Sequence, residues 1–148
     1  MSDFDPMEFP EVDEWSGSFT PRVDFQGFLA RRVPLSSGMA VAELIMPQFV
    51  EVSGCVIVRF KYDESSFEQW RERFGSSPSE LERTLNHVHL WDIFDAESTQ
   101  EEVALEVLAE KMCVGWQVKA NGDFPDKRFV GEITAEYGPT VTVYTQST

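Results

Sequence analysis

Residues 48–62 read QFVEVSGCVIVRFKY, and this stretch decides the fold class. It is dense in Val, Ile and Phe, the residue types that suit a pleated, half-buried surface. Gly54, Val56, Val58, Phe60 and Tyr62 fall on one face, and Ser53, Cys55, Ile57, Arg59 and Lys61 on the other. Ser53-Gly54 marks a turn or bulge, which predicts strands over 49–52 and 55–61.

On the N-terminal side, Val41, Leu44 and Ile45 recur at i, i+3 and i+4, so a helix is predicted over 39–46, stopped by Pro47. Residues 34–38 read as a break. Residues 16–35 read as irregular, with one short strand at 22–26. Residues 1–14 hold six acids, no base and two prolines, so 1–15 reads as an acidic, flexible arm. Residues 16–148 read as a single domain.

On the C-terminal side, Ser65 or Ser66 can cap a helix whose apolar side is Phe67, Trp70 and Phe74, with Gly75 ending it. Ser77-Pro78-Ser79-Glu80 then opens a second helix: serine at the cap, proline at the first helical position, glutamate at the third. Leu81 and Leu85 form its buried side. HVHLWDIF at 87–94 reads as a strand with apolar residues on both faces, hence a sheet covered on much of both faces. A helix over 99–112 starts at Ser98/Glu101 or Thr99/Glu102 and ends before Gly115. A strand is predicted over 116–120, turns at Asn121-Gly122 and Pro125-Asp126, and a hairpin of 128–136 with 140–144 across Tyr137-Gly138-Pro139. The sum is an α+β domain with a mainly antiparallel or mixed sheet of about five to six strands and three to four helices.

Charge is the clearest functional clue. The 148 residues carry 26 acids against 12 bases, a formal net charge of -14. Direct nucleic-acid binding needs a Lys/Arg footprint, and anionic membranes attract basic segments, so both count as excluded expectations. A basic protein is the partner this charge favours. No apolar run is long enough for a membrane span, the N-terminus lacks a basic and an apolar secretory segment, and the chain reads as cytoplasmic. Cys55 and Cys113 read as free, buried thiols.

The acids concentrate in the middle of the chain. Glu102, Glu106 and Glu110 recur at i, i+4 and i+8 on one helix face, and Lys111 is the only base between residues 84 and 118. Like charges at this spacing repel by a few tenths of a kcal/mol each. Asp92, Asp95, Glu97 and Glu101 extend the negative region. These seven acids, with Trp15 as an aromatic anchor, are the candidate protein-binding residues. The function read from them is a non-catalytic binding module, such as an immunity-type inhibitor of a basic or nucleic-acid-binding protein. A structural homodimer is one alternative.

The other alternative is a small metal-dependent hydrolase centred on His87 and His89. Residues i and i+2 of a strand share a face, so both rings can reach one ion. Composition offers Glu51, Asp92, Asp95 and Cys113 as a third ligand; Asp92 lies on the opposite face and is a poor one. No nucleophile elbow, metalloprotease, P-loop or dinucleotide motif occurs, so no cofactor and no catalytic activity are predicted in the main reading.

Overall fold

The computed structural model describes residues 4–75 and 77–146. Among these residues it is an α+β chain of six α-helices and two small antiparallel sheets, of two and three strands. The helices thus exceed the predicted three to four, and the strands do not form one sheet. Residues up to Ala42 form one compact unit and residues from Glu43 a second.

In the first unit, α1 (Pro10–Gly17) begins on a proline, whose missing N–H costs nothing at a helix start. α2 (Phe25–Arg32) is capped by Asp24, whose carboxylate accepts the Gly27 N–H at 2.9 Å. Trp15 meets Phe19 and Phe28 edge-on, with centroids 4.9 and 5.5 Å away. The segments read as arm and irregular coil therefore carry two helices held by an aromatic cluster. Residues 1–3 of the predicted arm lie outside the described residues. α3 (Leu35–Ile45) carries the chain into the second unit and starts four residues earlier than its apolar spacing predicts.

The second unit opens with the hairpin of β1 (Phe49–Val52) and β2 (Cys55–Val58). Ser53 and Gly54 both adopt positive φ, 53° and 80°, as a two-residue turn matched to strand twist requires. β2 ends at Val58 because residues 59–61 coil into a 3-10 turn, so Phe60 and Tyr62 leave the sheet. α4 (Glu64–Phe74) is capped by Asp63 rather than by either serine; its carboxylate accepts the Ser66 N–H, which holds that carboxyl below its usual range. Gly75, at φ 64°, ends it. α5 (Pro78–Leu85) starts as its sequence predicts, with Ser77 at the cap and proline inside.

β3 is only Val88–His89; residues 90–92 turn away in a 3-10 helix. α6 (Thr99–Asp123) runs far past Met112, through the predicted strand at 116–120 and the predicted turn at Asn121-Gly122. β4 (Phe129–Thr134) and β5 (Thr140–Thr145) form the predicted hairpin, and β5 is the middle strand in the order β3-β5-β4.

α6 covers one face of this sheet. Met112, Trp116 and Ala120 pack with Val141, Val143, Val56 and Val58 in the main core. Trp116 donates its indole N–H to the Leu44 carbonyl at 2.7 Å, which satisfies the one polar atom that the burial of this ring would strand. Gly115 is required because the Ile45 carbonyl stands where a Cβ would go. The opposite face of β2 packs Cys55 and Ile57 with Phe67 of α4 and Leu81 of α5.

The two sheets are joined by side chains, not by strand pairing. Glu82 of α5 and Asn86, the residue that caps its C-terminus, are one turn apart and fully buried. Glu82 accepts from the N–H of Val56 on β2 (2.7 Å) and from the N–H and hydroxyl of Thr145 on β5 (2.9 and 2.5 Å). Asn86 accepts the Val58 N–H (2.8 Å) and donates to the carbonyls of Val56 (3.1 Å) and Val143 (2.9 Å). Buried backbone groups left unpaired would each cost about 1–3 kcal/mol, so these two side chains replace a missing strand-to-strand ladder.

Candidate functional site

The Glu102, Glu106 and Glu110 ladder lines one wall of a cleft of about 460 Å³. The opposite wall comes from Trp91, Ile133 and the β4–β5 turn, including Gly138 and Pro139. Helical periodicity puts the glutamates in a row, and α6 packing on β4 and β5 presents that row to the turn. Trp91 and Ile133 are half exposed, at 49% and 43%. Among the described residues, no Lys or Arg lines the cleft. An acid-lined wall facing an exposed indole suits a cationic group, attracted by the carboxylates and by the ring face.

Trp91 is fixed in place. Its ring is edge-on to Tyr137, centroids 5.4 Å apart, and lies against Gly138. Gly138 has φ 63° and no side chain, and both features are needed for the indole to lie there.

The other candidate acids are placed elsewhere. Glu101 accepts the Glu97 N–H at 2.6 Å, while its own N–H donates to the Ser98 hydroxyl at 3.1 Å, so Glu101 is part of the α6 cap. Asp92, Asp95 and Glu97 are exposed before α6 and do not line the cleft. Trp15 is half-buried in the aromatic cluster of the first unit. Sequence reasoning missed the wall facing the glutamates. Nothing in the spacing links Trp91 to α6.

His87 and His89 line a second cleft, of about 340 Å³, on the face of the three-stranded sheet that α6 does not cover. Thr140 and Thr142 of β5 and Glu132 and Thr134 of β4 share that face. This polar face replaces the predicted apolar one, because residues after His89 leave the sheet. The two rings are edge-to-face with centroids 4.9 Å apart. His87 Nδ1 is bonded to the Thr84 carbonyl, and His89 Nδ1 to the Thr140 hydroxyl at 2.6 Å.

Glu132 accepts from Tyr144 at 2.8 Å and pairs with Arg83 at 2.5 Å. The Tyr144 hydroxyl, and then Arg83, hold the Glu132 carboxyl below its usual range, and the carboxylate in turn pushes the Tyr144 phenol up. The sequence-derived third ligands do not join the histidines. Cys113 faces Gly131 from α6, on the other side of the sheet, and Glu51 pairs with Lys127 at 3.4 Å. Among the described residues, no three His, Cys, Asp or Glu side chains form a ready metal-binding group. Burial raises both thiols: Cys55, with Glu82 adding to the rise, and Cys113, with Glu132 adding to it. Raised thiols hold their protons and are poor nucleophiles.

No described helix is long and apolar enough to cross a membrane. No family model, curated protein or solved structure matches the chain.

Proposed function

We propose that this chain is a non-catalytic binding module that takes a Lys/Arg-rich segment of a partner protein into the cleft between α6 and the β4–β5 turn. The observation that carries this reading is the glutamate ladder facing Trp91 across a cleft with no basic lining residue. The ladder's self-repulsion is relieved when a cation enters, and the net charge of -14 steers a basic partner toward the chain. An inhibitor of a basic or nucleic-acid-binding protein is the concrete form of such a module. It would act by competing with the nucleic acid for the basic surface, without binding nucleic acid itself.

The test uses a fluorescent nona-arginine peptide as probe, titrated with the full chain at low and high salt. Binding is expected at low salt and is expected to weaken as salt screens the charges. The triple variant E102K/E106K/E110K should lose at least about tenfold in affinity, a loss of about 1.4 kcal/mol. The variant E64K/E68K/E72K changes the net charge equally at exposed positions of α4 that do not line the cleft, and should lose far less. Equal losses in the two triple variants would overturn the assignment to the cleft.

Self-association rests on a different surface. Leu35 and Met39, one turn apart on α3, are 82% and 63% exposed. Sedimentation analysis of the wild type and of L35E/M39E tests it: a dimer lost in the variant supports it, and a wild-type monomer at high concentration rejects it.

A further inference from the structure

We propose that His87 and His89 form a two-imidazole site for a divalent first-row transition ion, bound through both Nε2 atoms with water completing its shell. This site shares Thr134 and the Gly138 turn with the acid-lined cleft, but the proposal does not rest on the reading of that cleft.

The hydrogen bonds fix the tautomer of His87 and are compatible with the same tautomer for His89. His87 Nδ1 faces the Thr84 carbonyl, which can only accept, so Nδ1 is the donor and the lone pair of the neutral ring is on Nε2. His89 Nδ1 faces the Thr140 hydroxyl. The Thr140 hydroxyl also lies 3.2 Å from the Gly138 carbonyl, and with its proton given to that carbonyl it accepts from His89 Nδ1, which is the arrangement the proposed site uses. With Nδ1 protonated on both, each neutral ring presents a bare Nε2. An Nδ1–H anchored to an oxygen acceptor is the arrangement that orients metal-binding histidines and makes their free nitrogen more basic.

The rings stand 4.9 Å apart and line one cleft. Imidazole pairs select Cu²⁺, Ni²⁺ and Zn²⁺ over Mg²⁺ and Ca²⁺, which prefer all-oxygen shells. Glu136 lines the same cleft and offsets the charge of an incoming ion. Glu132 is held by Arg83 and Tyr144, so it stays out of the ligand set.

The chain has two histidines, so in the untagged protein every imidazole signal belongs to this site. Long-range ¹H–¹⁵N NMR at about pH 8, where an ordinary imidazole is neutral, reads the proton position directly. Without metal, both rings should carry their proton on Nδ1. Zn²⁺ should shift both Nε2 resonances together and saturate at one ion per chain, while Mg²⁺ should shift neither. Replacing one ring, in H89Q or separately in H87Q, should weaken Zn²⁺ binding at least about tenfold. The proposal is overturned if either free ring carries its proton on Nε2, or if Zn²⁺ shifts only one ring or none. The wild-type spectra decide this even if a variant fails to fold.

Discussion

The indole of Trp91 rests on the backbone of Gly138. A methyl group at position 138 would meet Cδ2 and Cε2 of the ring and lie 2.7 Å from Cγ. Trp91 is thus positioned by the absence of a side chain. Gly138→Ala should cost about 1–2 kcal/mol for its positive φ, and more because the indole must move. The variant should also weaken nona-arginine binding, since the displaced ring no longer faces the glutamates. Gly54→Ala is the comparison: φ is 80° there but the space around it is open, so only the conformational cost of about 1–2 kcal/mol applies. Urea denaturation of both variants checks the difference. Equal stability losses would mean that Trp91 yields at no cost.

The side-chain joint on α5 carries a stability prediction. Glu82→Gln keeps the shape but turns an NH₂ group toward a backbone or hydroxyl donor. Asn86→Asp keeps one acceptor and loses both donations, to Val56 and Val143. Each should destabilise the chain by about 2–4 kcal/mol, because buried groups lose their partners with no water to replace them. The double variant should depart from additivity by about 0.5–3 kcal/mol, since both residues bridge the same two strands. Urea melts of the two single variants and the double variant measure this; strict additivity would show two independent contacts.

The pair of Glu132 and Tyr144 sets a pH window. The Glu132 carboxyl is lowered first by the Tyr144 hydrogen bond, then by Arg83. Its contribution to stability is complete above the ordinary carboxyl value of about 4.3 and is lost as pH falls through its lowered folded value. Tyr144 is raised, so its contribution is present below about 10 and lost as pH rises through its own raised value. In Tyr144→Phe, the Glu132 carboxyl should move up toward its usual range while Arg83 still holds it partly down. Carboxyl ¹³C NMR titration of wild type and variant follows this shift, and an unmoved Glu132 would assign its depression to Arg83 alone.

Local chemistry was legible where it acts alone. Ser53-Gly54 marks the first turn, Ser77-Pro78 opens α5, and Tyr137-Gly138-Pro139 separates β4 from β5. The reading failed where a distant partner reassigns a residue. Gly115 resembles a helix end but is needed for the close approach of Ile45. Asn121 resembles a turn residue but stays helical, and its side chain accepts the Phe129 N–H at 2.9 Å. Of the candidate site, the spacing of Glu102, Glu106 and Glu110 was visible in the chain. Their placement opposite Trp91 was not, because that wall is assembled from chain on both sides of the helix, Trp91 before it and Ile133 to Pro139 after it. Glu82 and Asn86 left a faint signal: two polar residues beside the apolar stripe of Leu81 and Leu85.

Helix side chains also finish the sheet on its outer side, where Gln117 accepts the Gly131 N–H at 2.9 Å and Asn121 accepts that of Phe129. With Glu82 and Asn86, carboxamides and a carboxylate occupy backbone positions on β2, β4 and β5 that another chain's strand would otherwise recruit. Those edges of β2, β4 and β5 are thereby closed to growth by addition. Spontaneous deamidation at Asn86 would remove both of its donations, to Val56 and Val143, and add a buried negative charge in one chemical event, so ageing of the protein would be felt first as a tendency to aggregate through strands.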